Sequence, residues 1–146
     1  MRAVIQRVSR AKCSVNGAVT GEIGLGFVVL LGVGRDDSDA DVEFLANKII
    51  NLRVFEDLAG KMNLSLKDAG GSLLLISQFT LYGDARKGNR PSFIDAAPAE
   101  VAERYYAKMA SRLAAEAPVQ TGIFQAMMDI ELVNTGPVTI LLDSKS

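Results

Sequence analysis

The chain of 146 residues has the length of one domain, its hydrophobic fraction of 49% is enough for a packed core, and its formal net charge is -1. It contains one cysteine and no histidine. These counts exclude a disulfide framework, a Ser-His or Cys-His catalytic pair and a histidine-ligated metal, and the charge gives no global attraction to a polyanion. Catalysis would therefore depend on carboxylates, lysines, hydroxyls, backbone groups or the substrate itself.

The first half of the chain predicts strands and one helix. Residues 3–8 predict a strand, and residues 12–20 predict a hairpin that turns at Asn16-Gly17. The unbroken apolar run 27–33 predicts a strand that is buried on both faces. A helix follows, begun by a capping box of Ser38 and Asp41. Its apolar stripe, at helical spacing, is Val42, Leu45, Ala46, Ile49 and Ile50.

The second half begins with a loop-rich stretch that ends at Gly70-Gly71, and a strand is predicted over residues 72–81. A second helix is predicted after Pro98, a residue that suits a first helical turn, and it ends before Pro118. Residues 128–132 predict a half-buried strand, residues 134–136 a turn, and residues 137–142 a last strand. The second helix has the apolar stripe Ala102, Tyr105, Tyr106, Met109 and Leu113. We therefore expect one α+β domain, residues 1–146, with many strands and two helices.

Several patterns resemble binding motifs but fail at key positions. The acidic run 36–41 lacks the glycine and the bidentate glutamate of a calcium loop, because Val42 and Lys48 stand there. The glycines at 24–26 and 83–88 lack the rest of a dinucleotide fingerprint and of a P-loop, respectively. Cys13 has no second cysteine or histidine and is interpreted as an ordinary strand residue. We therefore predict no metal site and no cofactor.

Two polar segments lie where strands end. Ser77-Gln78-Phe79-Thr80-Leu81 follows four apolar residues, and a strand end is a rigid mount for a reactive site. Asn134-Thr135-Gly136-Pro137 is a turn by composition, and an X-Pro bond is cis in about 5–6% of folded cases. From the residues alone, the favoured interpretation is that the polar residues of the first segment only satisfy backbone groups and that the second segment is only a turn. Nearby, Arg86, Lys87 and Arg90 form a basic cluster that is either solvated or in contact with phosphate.

Together, these two segments resemble the signatures of the D-aminoacyl-tRNA deacylases, and the likeness runs along essentially the whole chain. Other matching stretches are residues 5–8, 19–24, 60–64, 90–93 and 132–139. A related family that edits L-alanine from tRNA begins its strand-end signature with Pro, whereas this chain has Ser77. Ser77 therefore favours the D-specific branch.

The resemblance implies a barrel-like domain of mostly antiparallel and mixed sheet that forms a homodimer with active sites at the subunit interface. It implies hydrolysis of the ester bond of D-aminoacyl-tRNA at the 3′ CCA end, in the cytoplasm, with no cofactor and with neither a membrane nor DNA as a partner. Two features of the sequence agree with that location. Charged residues interrupt the first residues too early for the apolar region of a signal peptide, and no apolar run approaches the roughly 20 residues of a membrane span. Glycyl-tRNA made on the alanine tRNA is also expected to be cleaved, because glycine has no side chain to exclude.

The resemblance also assigns residues. It implies a catalytic segment of Ser77, Gln78, Phe79 and Thr80, tRNA contacts at Arg86, Lys87 and Arg90, and a chirally selective wall of Gly136 and Pro137. That wall would hold a cis peptide bond, enter the partner's active site and be supported by Arg7.

Several alternatives stay open from the sequence. Arg7 is equally interpretable as a strand residue that faces water. Thr80 is either a nucleophile or a supporting group for a water attack that a ribose 2′-hydroxyl assists, and we favour the second because no base is visible. The competing functions are a deacylase of the same fold for glycine or a small L-amino acid, and a non-catalytic dimer that binds RNA ends.

Overall fold

A 14-residue first strand organises the fold of the computed structural model, which describes residues 1–146. The strands are β1 (Arg2–Val15), β2 (Ala18–Ile23), β3 (Gly26–Gly32), β4 (Phe55–Glu56), β5 (Met62–Leu64), β6 (Ser72–Ser77), β7 (Val119–Thr121) and β8 (Asp129–Asp143). The helices are α1 (Asp39–Asn51), α2 (Ala99–Ala114) and a short 3₁₀ helix (Phe79–Tyr82).

The main sheet is nearly closed around β1. On one edge, β1 pairs antiparallel with β3 through its first half and with β2 through its second half, and β8 pairs antiparallel along the other edge. Strands β6 and β7 then add in parallel beyond β3. Gly21 of β2 lies so close to the backbone of Thr121 in β7 that an added Cβ would come within 2.8 Å of its carbonyl oxygen. This contact brings the two ends of the sheet together, and the predicted α+β, barrel-like domain with two helices is confirmed.

Side chains alternate between two cores because strand residues point to opposite faces. Phe27, Val29 and Leu31 of β3 belong to the larger core, which α1 and α2 cover. Val28 of the same strand points into a smaller core inside the barrel, together with Cys13. Cys13 is fully buried there and packs as an apolar residue, as the sequence predicts.

The helices begin and pack as their sequences predict. The carboxylate of Asp41 accepts a hydrogen bond from the Ser38 backbone N–H at 2.7 Å, which completes the capping box of α1. Pro98 is the residue before the first turn of α2, whose buried side chains are Ala102, Tyr106, Met109 and Leu113. Neither helix combines the length and the apolar character that a membrane-crossing helix needs.

A partly buried ionic cluster links the first and last strands to α1. The α-ammonium group of Met1 donates to Asp37 at 2.6 Å and to the Ser144 hydroxyl at 2.8 Å. Ser144 donates in turn to Asp41 at 2.5 Å, and Lys145 donates to the same carboxylate. The acidic run that fails as a calcium loop therefore caps a helix and anchors the ends of β1 and β8.

The strand predicted over residues 72–81 is too long. Strand β6 stops at Ser77, and the chain folds back as the 3₁₀ helix because glycine at position 32 leaves room for it against β3. A Cβ at Gly32 would lie 3.1 Å from both the Gln78 carbonyl oxygen and the Leu81 side chain.

Four further elements differ from the sequence prediction. The short strands β4 and β5 lie in the stretch that was predicted to be loop-rich, and β7 lies in a stretch for which no element was predicted. Strands of two or three residues are too short to show an alternating pattern. The two predicted strands around residues 134–136 form one strand, β8, that is interrupted by a bulge.

Candidate active site

A cavity of about 770 Å³ opens where the parallel strands β3 and β6 end. The carboxyl ends of parallel strands meet at the same edge of a sheet, so the segments that follow β3, β6 and β7 converge there. The start of α2 contributes small side chains that keep the cavity open. The lining residues are Leu31, Val33, Ile76, Ser77, Gln78, Phe79, Thr80, Ala97, Ala99, Ala102, Phe124, Gln125, Ala126, Met127, Met128 and Ile130.

All four residues of the predicted catalytic segment, Ser77 to Thr80, therefore line this cavity. The 3₁₀ helix begins at Phe79, so the backbone N–H groups of Phe79 and Thr80 have no acceptor within the helix. The Phe79 ring is 55% exposed and meets Phe93 edge to face, with ring centroids 5.1 Å apart. The arrangement offers two hydrogen-bond donors beside an aromatic wall, which suits a developing negative charge on oxygen.

No titratable side chain is among the lining residues. The Thr80 hydroxyl accepts a hydrogen bond from the Gln78 side-chain amide. An amide does not remove a proton at neutral pH, so Gln78 orients the hydroxyl without activating it as a nucleophile. A base for hydrolysis must therefore come from the substrate, from solvent or from another chain.

Tyr106 of α2 supports the cavity from behind its lining residues. Its hydroxyl donates to the Leu75 carbonyl at 2.8 Å, two residues before Ser77. Burial raises the pKa of Tyr106 to about 12, against a smaller lowering from a hydrogen bond with the Gly122 backbone, so the hydroxyl stays protonated as a donor. Its ring packs on Phe124, which lines the cavity, at 6.0 Å between centroids. The sequence stripe identified Tyr106 only as a core residue.

The Gly136-Pro137 segment forms an exposed turn at the bulge in β8. Gln6 pairs with Thr139 and Val8 pairs with Asn134, so four residues of β8, 135–138, lie opposite Arg7 alone. The Gly136-Pro137 peptide bond is cis, and Gly136 has a φ of +135°. Both residues are exposed, whereas the Val138 side chain is buried beneath them.

Arg7 lies directly under this turn and does not face water. Its guanidinium donates through Nε to the Thr135 carbonyl at 2.9 Å and through Nη1 to the Val54 carbonyl at 2.5 Å. The residue is 8% exposed and has no acidic side chain within ion-pair distance. Val54 is itself buried in the larger core. Arg7 therefore ties the turn to a backbone position that the core fixes.

The turn and the cavity lie at opposite ends of β3 within one subunit. Arg7, beneath the turn, pairs with Phe27 at the start of β3, whereas Leu31 lines the cavity at its end. Four residues of strand separate these positions, which is about 13 Å at about 3.3 Å per residue. Neither Gly136 nor Pro137 lines the cavity. The two predicted parts of the site are thus not brought together inside a single chain.

The basic cluster lies in a loop that starts directly after the 3₁₀ helix. Backbone hydrogen bonds between Asp84 and Ser92 close this loop at its base. The Arg86 side chain donates twice to Asp84, which together with the Arg86 backbone N–H lowers the pKa of Asp84 to about 2. Lys87 and Arg90 are exposed and have no acidic partner. Two of the three predicted tRNA contacts are therefore exposed cations without an acidic partner, in the loop that follows the 3₁₀ helix.

Reasoning from the sequence missed the segment after β7. Residues 124–128 line one side of the cavity, and Gln125 has a positive φ of 65°, which is uncommon for a residue other than glycine. Met127 is 89% exposed at the cavity edge. In the sequence, the only indication that this segment borders a site was the adjacent Met127-Met128 pair before an alternating strand. It was not used because a methionine usually indicates core packing.

Comparison with known proteins places the chain among tRNA deacylases. Residues 4–143 match the profile of the family described as D-Tyr-tRNA(Tyr) deacylase. A D-aminoacyl-tRNA deacylase of Anaeromyxobacter dehalogenans is 59% identical over 99% of this chain and 98% of its own length, and one of Syntrophobacter fumaroxidans is 56% identical with the same coverage. The resemblance drawn from the sequence is thereby confirmed.

Solved structures have the same fold. The structure of a protein named "c-Myc DNA Unwinding Element Binding Protein" superposes with a TM-score of 0.93 at 42% identity, covering 98% of each chain. A probable eukaryotic D-amino acid tRNA deacylase superposes with a TM-score of 0.83 at 16% identity, covering 97% of each chain, which supports the fold alone.

Proposed function

This chain belongs to the D-Tyr-tRNA(Tyr) deacylase family, and we propose that it hydrolyses the ester bond between a D-amino acid and the 3′-terminal adenosine of tRNA. One observation carries the proposal: the segment 77–80 lines the cavity at the ends of β3 and β6, its Phe79 and Thr80 backbone N–H groups have no acceptor within the 3₁₀ helix, and no titratable side chain lines the cavity. An aminoacyl ester is already reactive, and a site for it needs positioning and an oxyanion hole more than a strong base.

In the proposed reaction, a water oxygen attacks the ester carbonyl carbon. The carbonyl oxygen becomes an oxyanion that accepts hydrogen bonds from the N–H groups of Phe79 and Thr80. The bond from this carbon to the ribose oxygen then breaks. The neighbouring ribose hydroxyl relays the water proton to the leaving oxygen, which yields a free amino acid and tRNA with both terminal hydroxyls.

We assign Thr80 a supporting role. Its hydroxyl is held by the Gln78 amide and faces no group that can deprotonate it. Ser77 and Gln78 shape the same wall and complete the contact with the aminoacyl ester. Water attack assisted by the RNA is consistent with a cavity free of titratable groups.

We propose that selectivity against L-amino acids comes from the Gly136-Pro137 turn of a second subunit. The turn is exposed, is held from below by Arg7, and lies about 13 Å along β3 from its own cavity, so a second copy is the simplest way to bring both parts together. An L side chain would point into the turn and a D side chain away from it. Discrimination by exclusion spares the abundant L-aminoacyl esters. It leaves glycine esters as substrates, including glycine attached to the alanine tRNA.

The proposed tRNA contacts are the exposed cations of the 84–92 loop. Lys87 and Arg90 are available for phosphates of the 3′ CCA end, whereas Arg86 is held by Asp84. A protein of this charge binds RNA through a local patch of this kind and needs no wide basic surface. Because charged tRNA is a translation intermediate, we place the activity in the cytoplasm.

Two other functions remain as outcomes of the test. A deacylase of this fold for glycine or a small L-amino acid would cleave L-alanyl esters, and a non-catalytic RNA-end binding dimer would protect every ester. DNA binding appears in the name of one structurally similar protein and is a property of that protein, and the net charge of -1 does not favour it here.

The test is release of amino acid from tRNA charged with D-tyrosine, glycine, L-tyrosine or L-alanine, with enzyme well below the substrate concentration and a chelator present. We expect multiple turnovers on the D-tyrosyl and glycyl esters and buffer rates on both L esters. Cleavage of the L-alanyl ester would instead support the related editing function. Loss of all four esters at the buffer rate would refute the hydrolase, and slower loss than in buffer with the protein in excess over the esters would then establish a binding protein.

A second experiment tests whether the turn acts on the partner's cavity. Ala99→Trp fills the cavity but leaves the turn intact, and Arg7→Ala leaves the cavity intact but loosens the turn. The two variants are co-expressed with different tags, and the mixed dimer is isolated. Its open cavity belongs to the Arg7→Ala subunit and its intact turn to the Ala99→Trp subunit, so the two meet only if the turn acts across subunits. The mixed dimer should then cleave the D ester and spare the L ester. Cleavage of the L ester at the rate of the Arg7→Ala homodimer would refute the arrangement.

A further inference from the structure

We infer that Asn134 is a positioning residue that sets chiral selectivity by clamping the two ends of the Gly136-Pro137 turn; this inference rests on the proposed function. The turn leaves the sheet after Asn134 and rejoins it at Thr139, and residues 135–138 have only Arg7 opposite them. A wall that discriminates by exclusion must not move, because a shift of about 1 Å at a reacting centre is enough to change rates by orders of magnitude.

The side chain of Asn134 spans the base of the turn with three hydrogen bonds. Its Oδ1 accepts from the Val138 backbone N–H at 2.8 Å. Its Nδ2 donates to the Val138 carbonyl at 3.2 Å and to the Thr139 hydroxyl at 3.1 Å. No other side chain forms hydrogen bonds that connect the two ends of the turn.

Asparagine is suited to this position because one planar amide both accepts and donates. An aspartate would keep the bond from the Val138 N–H but would set a carboxylate against the Val138 carbonyl. An alanine would remove all three bonds and leave the turn held by Arg7 at Thr135 and by the buried Val138 side chain. The clamp and the Arg7 support act at different points. Arg7 binds the turn from below at Thr135, and Asn134 fixes the distance between the two ends of the turn.

Loss of the clamp is expected to affect one substrate class more than the others. The oxyanion hole and the cavity belong to other segments, so D-tyrosyl and glycyl esters keep their access and their rates. The L-tyrosyl ester is excluded only by the wall, and its hydrolysis should therefore rise. This is a gain of activity, which a loss of stability does not produce.

The experiment compares wild type, Asn134→Ala, Asn134→Asp and Thr139→Val on the D-tyrosyl, glycyl and L-tyrosyl esters. Each lost hydrogen bond corresponds to roughly 2- to 10-fold. The quantity compared is kcat/KM for the L ester divided by kcat/KM for the D ester. From this effect per hydrogen bond, we expect the ratio to rise about tenfold or more in Asn134→Ala and about threefold in Thr139→Val. Asn134→Asp should be intermediate, and the glycyl ester should change by less than about threefold.

Thr139→Val keeps the side-chain shape and removes one acceptor, so it tests the clamp even if Asn134→Ala folds poorly. Amide hydrogen exchange at Val138, which should accelerate about tenfold or more in Asn134→Ala, checks the clamp without activity. An unchanged L-to-D ratio in both variants would overturn the inference, as would an equal fall of all three esters. A wild-type enzyme that fails on the D ester would instead refute the proposed function itself.

Discussion

The support of the turn by Arg7 gives the most quantitative prediction. The Arg7 guanidinium bridges two carbonyl oxygens that belong to distant parts of the chain, Val54 at 2.5 Å and Thr135 at 2.9 Å. The planar fork of arginine presents separate N–H groups to the two acceptors, whereas the single ammonium of lysine on a flexible stem does not reach both in the same geometry. Replacement of Arg7 should therefore affect both stability and selectivity.

The magnitude follows from the two bonds. A hydrogen bond to a charged group contributes roughly 1.5–3 kcal/mol, and a buried acceptor left without a donor costs about 1–3 kcal/mol. Arg7→Ala should thus lower the free energy of unfolding by about 3 kcal/mol or more, and Arg7→Lys by about 2 kcal/mol, because lysine keeps one bond. Arg10→Ala on the same strand is the matched control, since Arg10 is exposed and has no ionic partner.

Urea unfolding at one fixed protein concentration measures these differences, and the L-to-D ester ratio is measured on the same samples. We expect Arg10→Ala to stay within about 0.5 kcal/mol of wild type. The reasoning is refuted if Arg7→Lys is as stable as Arg10→Ala, or if Arg7→Ala is destabilised but still spares the L ester as wild type does.

Three further predictions concern the cavity and the core. Thr80→Val should retain deacylase turnover within about tenfold of wild type, because a group that only supports a water attack is not required for bond formation; loss of all turnover above buffer would make Thr80 the nucleophile. Tyr106→Phe should lower the free energy of unfolding by about 1–2 kcal/mol in chemical denaturation, because the Leu75 carbonyl loses its donor; no change would mean that this bond contributes nothing. For Asp41, burial raises the pKa, but hydrogen bonds from Ser144, the Ser38 backbone and Lys145 outweigh it and hold the pKa well below its usual value. The carboxylate therefore stabilises the fold above about pH 4, and this contribution is lost as the pH falls through the lowered pKa. Asp41→Asn should have a lower free energy of unfolding than wild type at pH 7, and its free energy of unfolding should fall less steeply with decreasing pH. Parallel acid limbs of the two curves would contradict this.

Local patterns were sufficient to predict many elements from the sequence. The Ser38–Asp41 spacing predicts the start of α1, and Asn16-Gly17 predicts the first turn, where both residues have positive φ. These signals depend on neighbours within four residues. The two candidate segments were found for a similar reason, because each lies where an apolar strand meets polar residues.

The assembly of the site was not predictable because it depends on pairing register. The sequence does not show that Arg7 lies opposite a four-residue bulge, nor that the Val54 carbonyl is its second acceptor. It likewise does not show that Asn134 spans the base of the turn or that residues 124–128 border the cavity. Each of these contacts joins elements that are far apart in the chain or depends on the bulge between them.

The most direct test of the account is a competition in one tube. Equal amounts of D-tyrosyl-tRNA and L-tyrosyl-tRNA, with distinguishable labels on the amino acids, are incubated with a small fraction of an equivalent of enzyme and a chelator. The ratio of the two decay rates gives the ratio of kcat/KM without separate calibration. The account predicts repeated turnover of the D ester while the L ester decays as it does in buffer. Equal decay of both esters, or no decay above buffer, would contradict it.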